Sequence, residues 1–151
     1  MPVIRLSTPI RAPIEVCFDL ARSIDLHLES MKASRERAVS GVTHGLIGMN
    51  DEVTWEAVHF GIRQRLTSRI TAFDRPHHFQ DSMVRGAFKR FHHDHLFENA
   101  GGTTTMIDVF DYESPLGLLG RIGNVLFLDR YLRRILTDRA AVIRAAAVGI
   151  Q

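Results

Sequence analysis

At Leu118 the hydrophobic period of this chain lengthens from two residues to between three and four, and it stays so to the end. Leu119, Ile122, Leu126, Leu132, Leu136, Ala140, Ile143 and Ala147 recur at helical spacing, with one gap at Asp129. Arginines 121, 130, 133, 134, 139 and 144 fall largely away from that stripe. The pattern predicts one long amphipathic helix whose apolar side must be covered. Everything upstream that alternates is its natural cover. An antiparallel sheet with one apolar face, laid against one long helix, makes a two-layer α+β domain.

The segments before Leu118 supply that sheet. Residues 3–10 alternate and end at Pro9-Ile10, a first strand. Ala12-Pro13-Ile14-Glu15 opens a helix, with proline in the first turn where a missing amide does no harm. Ser23-Ile24-Asp25 reads as the cap of a second short helix running to Met31. Residues 35–40 form a weak strand. Residues 52–59 and 62–73 are the clearest pair, joined as a hairpin at Phe60-Gly61. Residues 79–84 and 88–99 follow, and Ala100-Gly101-Gly102 turns tightly into residues 103–112. The expected order is strand, two short helices, about six antiparallel strands, then the long helix.

At 151 residues the chain has the size of one domain, here taken as residues 1–151. Its formal charge of +2 demands no polyanionic partner. A single cysteine, Cys17, excludes an internal disulfide and sits in an apolar helical pattern, as a buried, inert side chain would. The start, Met1-Pro2-Val3-Ile4-Arg5-Leu6, lacks the pattern of a signal peptide, and no stretch approaches the ~20 apolar residues of a membrane span. A cytoplasmic protein without integral membrane association is expected.

Several segments together resemble the START-like helix-grip superfamily, in its polyketide cyclase/dehydrase and lipid-transport branch. They are residues 10–20 at the first helix, Val53-Thr54-Trp55 with His59-Phe60-Gly61, Phe79-Gln80-Asp81, Gly86-Ala87-Phe88, His93-Asp94-His95-Leu96-Phe97, Gly102-Thr103 and residues 114–120. The resemblance implies a strongly curved sheet gripping the C-terminal helix, with a cavity between them. It carries over no catalytic residue, because one cavity serves many tasks in such folds.

The strand around residues 90–98 carries the chemistry. Period two puts Phe91, His93, His95 and Phe97 on one face, and Arg90, His92, Asp94 and Glu98 on the other. Two histidines among phenylalanines are costly to bury unless they find partners. Across the Gly101-Gly102 turn, Thr104, Met106, Asp108, Phe110 and Tyr112 share a face, which brings Asp108 near His95 in register. The expected ligand-binding wall is Trp55, His59, Met83, Phe91, His93, His95, Asp108, Phe110 and Tyr112, closed by Leu119, Ile122 and Leu126.

Two readings of that wall follow. It holds a small hydrophobic or amphipathic molecule, such as a lipid, isoprenoid or polyketide-like compound. Alternatively His59, His93 or His95, with Asp108 orienting a ring, serves as general acid or base in a cyclase or dehydratase. No cofactor or metal is expected. His-x-His on a strand is a poor metal signal, although His59 or Asp108 would be the nearest third ligand. Arg63, Arg65 and Arg69 line the outer sheet face with Thr67 and Thr71, a solvated face with no interleaved aromatics, so no nucleic acid is expected as partner. Gly117, Gly120 and Gly123 at the helix entrance fit either close packing or a loosened entrance for a ligand.

Overall fold

The computed structural model describes residues 3–114 and 118–150, with side chains described outside 118–125. The chain folds as β1 (Val3–Ile10), α1 (Ile14–Ala21), α2 (Ile24–Ser30), a short 3-10 turn (Lys32–Ser34), β2 (Arg37–Gly41), β3 (Glu52–His59), β4 (Ile62–Asp74), β5 (His78–Arg85), β6 (Arg90–Ala100), β7 (Thr103–Glu113) and α3 (Leu118–Gly149). The seven strands form one antiparallel, curved sheet in the order β1-β7-β6-β5-β4-β3-β2. Only β1 lies out of sequence. The α1–α2 pair carries the chain from β1 at one edge to β2 at the other. Register shifts on β2 at Ala38/Ser40 and on β4 at Thr67/Ser68 and Ile70/Ala72 bend the sheet.

Local chemistry sets these elements. Pro13, with φ −61° and ψ 147°, caps α1 from outside rather than sitting within its first turn. The Ser23 hydroxyl accepts from the Leu26 amide and starts α2. Gly101 and Gly102 have φ of 61° and 84°, the paired left-handed conformation of a two-residue hairpin turn, which a side chain at both positions would strain. That turn locks β6 to β7 with His95 opposite Asp108 and His93 opposite Phe110.

Two apolar clusters fill the space between sheet and helices. One gathers Phe18, Phe79, Phe97, Met106, Ala140, Ile143 and Ala147 among others. The other holds Ile4, Phe91, Phe110, Tyr112 and Leu136. Phe18 is the hub of the first, its ring edge-on to Phe73, Phe79 and Phe97 at centroid distances of 5.4, 5.2 and 5.3 Å. Cys17 beside it is buried and free, and burial raises its thiol pKa, consistent with an inert core residue.

The outer face of the sheet is charged but paired. Glu56 is held by Arg37 at 2.6 Å and Arg65 at 2.9 Å, and Glu52 by Arg69. Among the described residues, no helix is long and apolar enough to cross a membrane.

Replacing Phe18 by Ala removes the ring on which three others rest, in a site the surrounding strands cannot collapse into. We expect a loss of about 3–5 kcal/mol in unfolding free energy, measured by urea denaturation.

Candidate functional site

Between the two apolar clusters lies a polar layer. Along β6 the order is Phe91, then His93 and His95, then Phe97. Along β7 it is Met106, Asp108, Phe110. On β5 Asp81 follows Phe79, and on α3 Arg139 sits between Leu136 and Ala140. These five polar side chains converge. His93 Nε2 lies 2.8 Å from Asp108 Oδ1, and His95 Nε2 lies 2.6 Å from Asp81 Oδ1. Arg139 Nη1 donates to Asp108 Oδ1 at 3.3 Å, and its Nη2 donates to the Ala21 carbonyl at 2.8 Å and approaches His95 Nδ1 at 3.5 Å. The imidazoles are clamped by rings as well. His95 stacks on Phe79 at 4.1 Å, and Phe110 meets His93 edge-on at 5.3 Å.

The electrostatics assign the protons. Burial alone would raise the Asp108 pKa, but the hydrogen bond from His93 and the Arg139 charge hold it well below the usual carboxylate range. Burial opposes ionisation of Asp81 too, and the His95 hydrogen bond with the charge of Arg139 leaves its pKa lowered. Both carboxylates are therefore ionised acceptors, so His93 and His95 each present N–H from Nε2. His95 is pushed down to about 4, first by burial and then by its neighbour His93, and stays neutral at physiological pH. The remaining His93 ring nitrogen, Nδ1, lies 3.8 Å from Asp81 Oδ1.

This layer closes one end of a cavity of about 660 Å3 under residues 127–139 of α3. Phe127, Leu128, Tyr131, Leu132, Ile135 and Leu136 supply its helical wall, and Arg139 is the last α3 residue to reach it. Val53, Trp55 and Ala57 on β3, with Leu66 and Ile70 on β4, face them across the space. His27 of α2 stacks on Trp55 at 4.1 Å and is bound to Glu36 at 2.5 Å. At the other end stands the β3–β4 hairpin tip. Phe60 and Gly61 have φ of 54° and 75°, and Phe60 packs on Tyr131 at 4.7 Å and Phe127 at 5.2 Å. His59 Nδ1 and the Tyr131 hydroxyl are 2.5 Å apart. Burial lowers the His59 pKa and raises that of Tyr131, so the phenol donates and the neutral imidazole accepts.

Of the expected wall, Trp55, His59, Phe91, His93, His95 and Phe110 line the cavity. Asp108 does not line it. It lies behind His93, wholly buried. Met83 and Tyr112 pack within the second apolar cluster instead of reaching the cavity wall. Leu126 is 71% exposed, because Leu128 and Leu132 hold the inward phase of the helix at that level. The side chains of Leu119 and Ile122 lie outside the described residues, as do Gly117 and the surroundings of Gly120 and Gly123.

Two members of the layer, Asp81 and Arg139, escape the sequence reading. Period two from Phe79 puts Asp81 on the inner face, and Arg139 sits three residues after Leu136 and four before Ile143. Both signals are present in the chain. Arg139 reads as lying off the apolar stripe, yet it is only 6% exposed.

No family model matches the chain, and no curated protein matches it in sequence. Solved structures do match in fold. A protein from Thermus thermophilus, TTHA0849, is 20% identical with a TM-score of 0.74, covering 97% of this chain and 99% of that one. A START superfamily protein from Mycobacterium smegmatis reaches the same TM-score, 0.74, at 8% identity and 99% coverage of both chains. The major latex-like protein 151 from Panax ginseng is 17% identical with a TM-score of 0.68 and 97% coverage of both. The chain has the helix-grip fold that these proteins share.

Removing Arg139 leaves Asp108 as a buried charge without its cation. Arg139→Met is expected to cost about 3–5 kcal/mol in urea unfolding, and adding Asp108→Asn to recover part of that loss. Acid unfolding gives a second check. His59 and His95 both bind protons less well in the fold than in the unfolded chain. Stability is then complete above about pH 6.5 and falls as the pH drops from there toward about 4, where the folded His95 itself titrates. Urea midpoints between pH 7 and pH 4 should decline, and His95→Gln should flatten the curve.

Proposed function

We propose that this protein binds one small apolar or amphipathic molecule, of lipid, isoprenoid or polyketide-like character, in the cavity between the sheet and α3. The observation that carries this reading is the 660 Å3 cavity itself, walled by apolar and aromatic side chains with converging polar groups at one end. Its volume falls in the range of small-molecule sites, roughly 300–1,000 Å3. An apolar body would lie against Trp55, Leu66, Leu132 and Ile135, while a hydroxyl or carbonyl end would meet Asp81, His93 and Arg139. The pairing of the outer arginines with Glu52 and Glu56 supports a small molecule rather than a nucleic acid as partner. The unpaired, buried Cys17 supports a reducing, cytoplasmic setting.

A second reading, an acid–base enzyme of the cyclase or dehydratase type, draws on one specific feature. Asp108 fixes the Nε2–H tautomer of His93, which leaves Nδ1 with a free electron pair on the cavity wall. In that reading His93 takes a proton from carbon next to a bound carbonyl, and Arg139 stabilises the oxygen.

Trp55 is the single tryptophan of the chain and lines the cavity, so its fluorescence reports occupancy directly. Titration with long-chain fatty acids, isoprenoid alcohols and polycyclic phenols should quench or shift that emission at one equivalent for one of these classes. Ala57→Phe, which fills the wall beside Trp55, is expected to weaken binding roughly tenfold, equivalent to about 1.4 kcal/mol of lost fit. Equal response of wild type and Ala57→Phe to every class would remove the cavity reading. Turnover of the bound compound, lost in His93→Gln with binding retained, would select the enzyme.

A further inference from the structure

We propose that Asp81, His93 and His95 form a binding site for a first-row divalent transition-metal ion at the polar end of the cavity, with open coordination positions facing the space. The site shares Asp81 and His93 with the polar end of the ligand reading above, but it does not depend on that reading and holds whether or not an apolar molecule occupies the cavity.

The geometry begins with the donors. One Asp81 oxygen and one nitrogen from each histidine all lie within 4.8 Å of one another. Asp81 Oδ1 is 2.6 Å from His95 Nε2 and 3.8 Å from His93 Nδ1. Two ligands held on bonds of about 2.1 Å at tetrahedral to octahedral angles stand about 3.0–3.4 Å apart. The observed separations straddle that range, so small side-chain rotations bring all three donors onto one ion. No backbone shift is required, since β5 and β6 are paired neighbours with Asp81 opposite His93.

The nitrogens that would remain are already supported. His93 Nε2 lies 2.8 Å from Asp108 Oδ1, and His95 Nδ1 lies 3.5 Å from the same oxygen. A carboxylate behind a ligating imidazole fixes its orientation and strengthens it as a donor. Asp108 stands behind both rings. Its second oxygen, Oδ2, is buried and lacks a partner, so the carboxylate has spare capacity to hold the imidazole N–H displaced from His95 Nε2.

Charge and access agree. Two carboxylates against the single guanidinium of Arg139 leave the cluster one negative charge, apart from the imidazoles. Arg139 leaves the three donors clear; when His95 Nε2 turns to the ion and Nδ1 takes the proton, Arg139 gives up its long 3.5 Å contact to Nδ1 and keeps those to Asp108 and the Ala21 carbonyl. Asp81, His93 and His95 all line the cavity, so a water molecule or a ligand oxygen can complete the coordination. Two imidazoles and one carboxylate suit zinc, iron or cobalt rather than calcium or magnesium. Three protein ligands with open positions are the arrangement of a reactive ion, not of a structural one.

The test uses the full chain, stripped with chelator and titrated with Co2+ alone and with Zn2+ alone. The expected result is one equivalent bound with micromolar or tighter affinity, with a visible Co2+ absorption of a nitrogen- and oxygen-ligated ion. His93→Gln and Asp81→Asn should abolish that binding, and Asp108→Asn should weaken it roughly 10–100-fold. His77→Gln, on the exposed β4–β5 turn, should leave it unchanged. Should the buried variants fail to fold, anomalous diffraction from Zn2+-soaked wild-type crystals decides alone. A peak between the three side chains supports the site. No binding by the folded wild type, binding that survives both ligand substitutions, or an anomalous map without that peak would each overturn it.

Discussion

A carboxylate sealed from water needs a cation or several donors within reach; His93 gives Asp108 a donor, and the cation arrives because α3 crosses the sheet at Arg139. That one guanidinium joins β7 through Asp108, α1 through the Ala21 carbonyl, and β6 through His95. It fixes how far along the sheet the long helix sits. Beyond it, toward the C-terminus, the buried Ala140, Ile143 and Ala147 bring the helix into one apolar cluster with Phe18, Phe97 and Met106. Before it, the larger Leu128 and Leu132 line the cavity and pack against the second apolar cluster, while Tyr131 meets the hairpin tip at Phe60. The small and large halves of one helix thus divide the interior into a packed core and a hollow.

Such a division explains why the polar layer lies where it does. Placed in the packed core, two histidines, two carboxylates and an arginine would cost more than well-fitted apolar residues of the same volume. Placed at the boundary, they satisfy one another on the core side and present Asp81 and His93 to the cavity on the other. The same fold at 8–20% identity in other proteins shows that the architecture tolerates near-complete replacement of its side chains. Whatever chemistry this cavity performs is written in the layer and the wall, not in the fold.

Much of this layer is legible residue by residue. Alternation alone puts His93 and His95 on the inner face of β6, and the Gly101–Gly102 turn brings Asp108 opposite His95. Both depend on near-neighbour geometry, with period two along a strand and a two-residue turn between strands. Asp81 and Arg139 are hidden for a different reason. A charged side chain on an apolar stripe reads as a helix edge or a strand end unless its partner is known, and their partners lie 12 to 118 residues away. Leu126 misleads in the opposite direction. An apolar residue near the stripe reads as inward, while the helix phase set by Leu132, Leu136 and Ile143 turns it to solvent.

By itself the sequence determined the two periods, the turns that join neighbouring strands and hence the layers of an α+β domain. Those features follow from backbone sterics and side-chain alternation within a few residues, which no distant segment need supply. Only the tertiary structure decided that β1 pairs with β7, where Ile4 meets Phe110, and that α3 crosses the sheet with Arg139 over Asp108. These contacts link segments about a hundred residues apart in one case and about thirty to over a hundred in the other. They are chosen by which buried charges and apolar surfaces can be satisfied together, a condition on the whole fold.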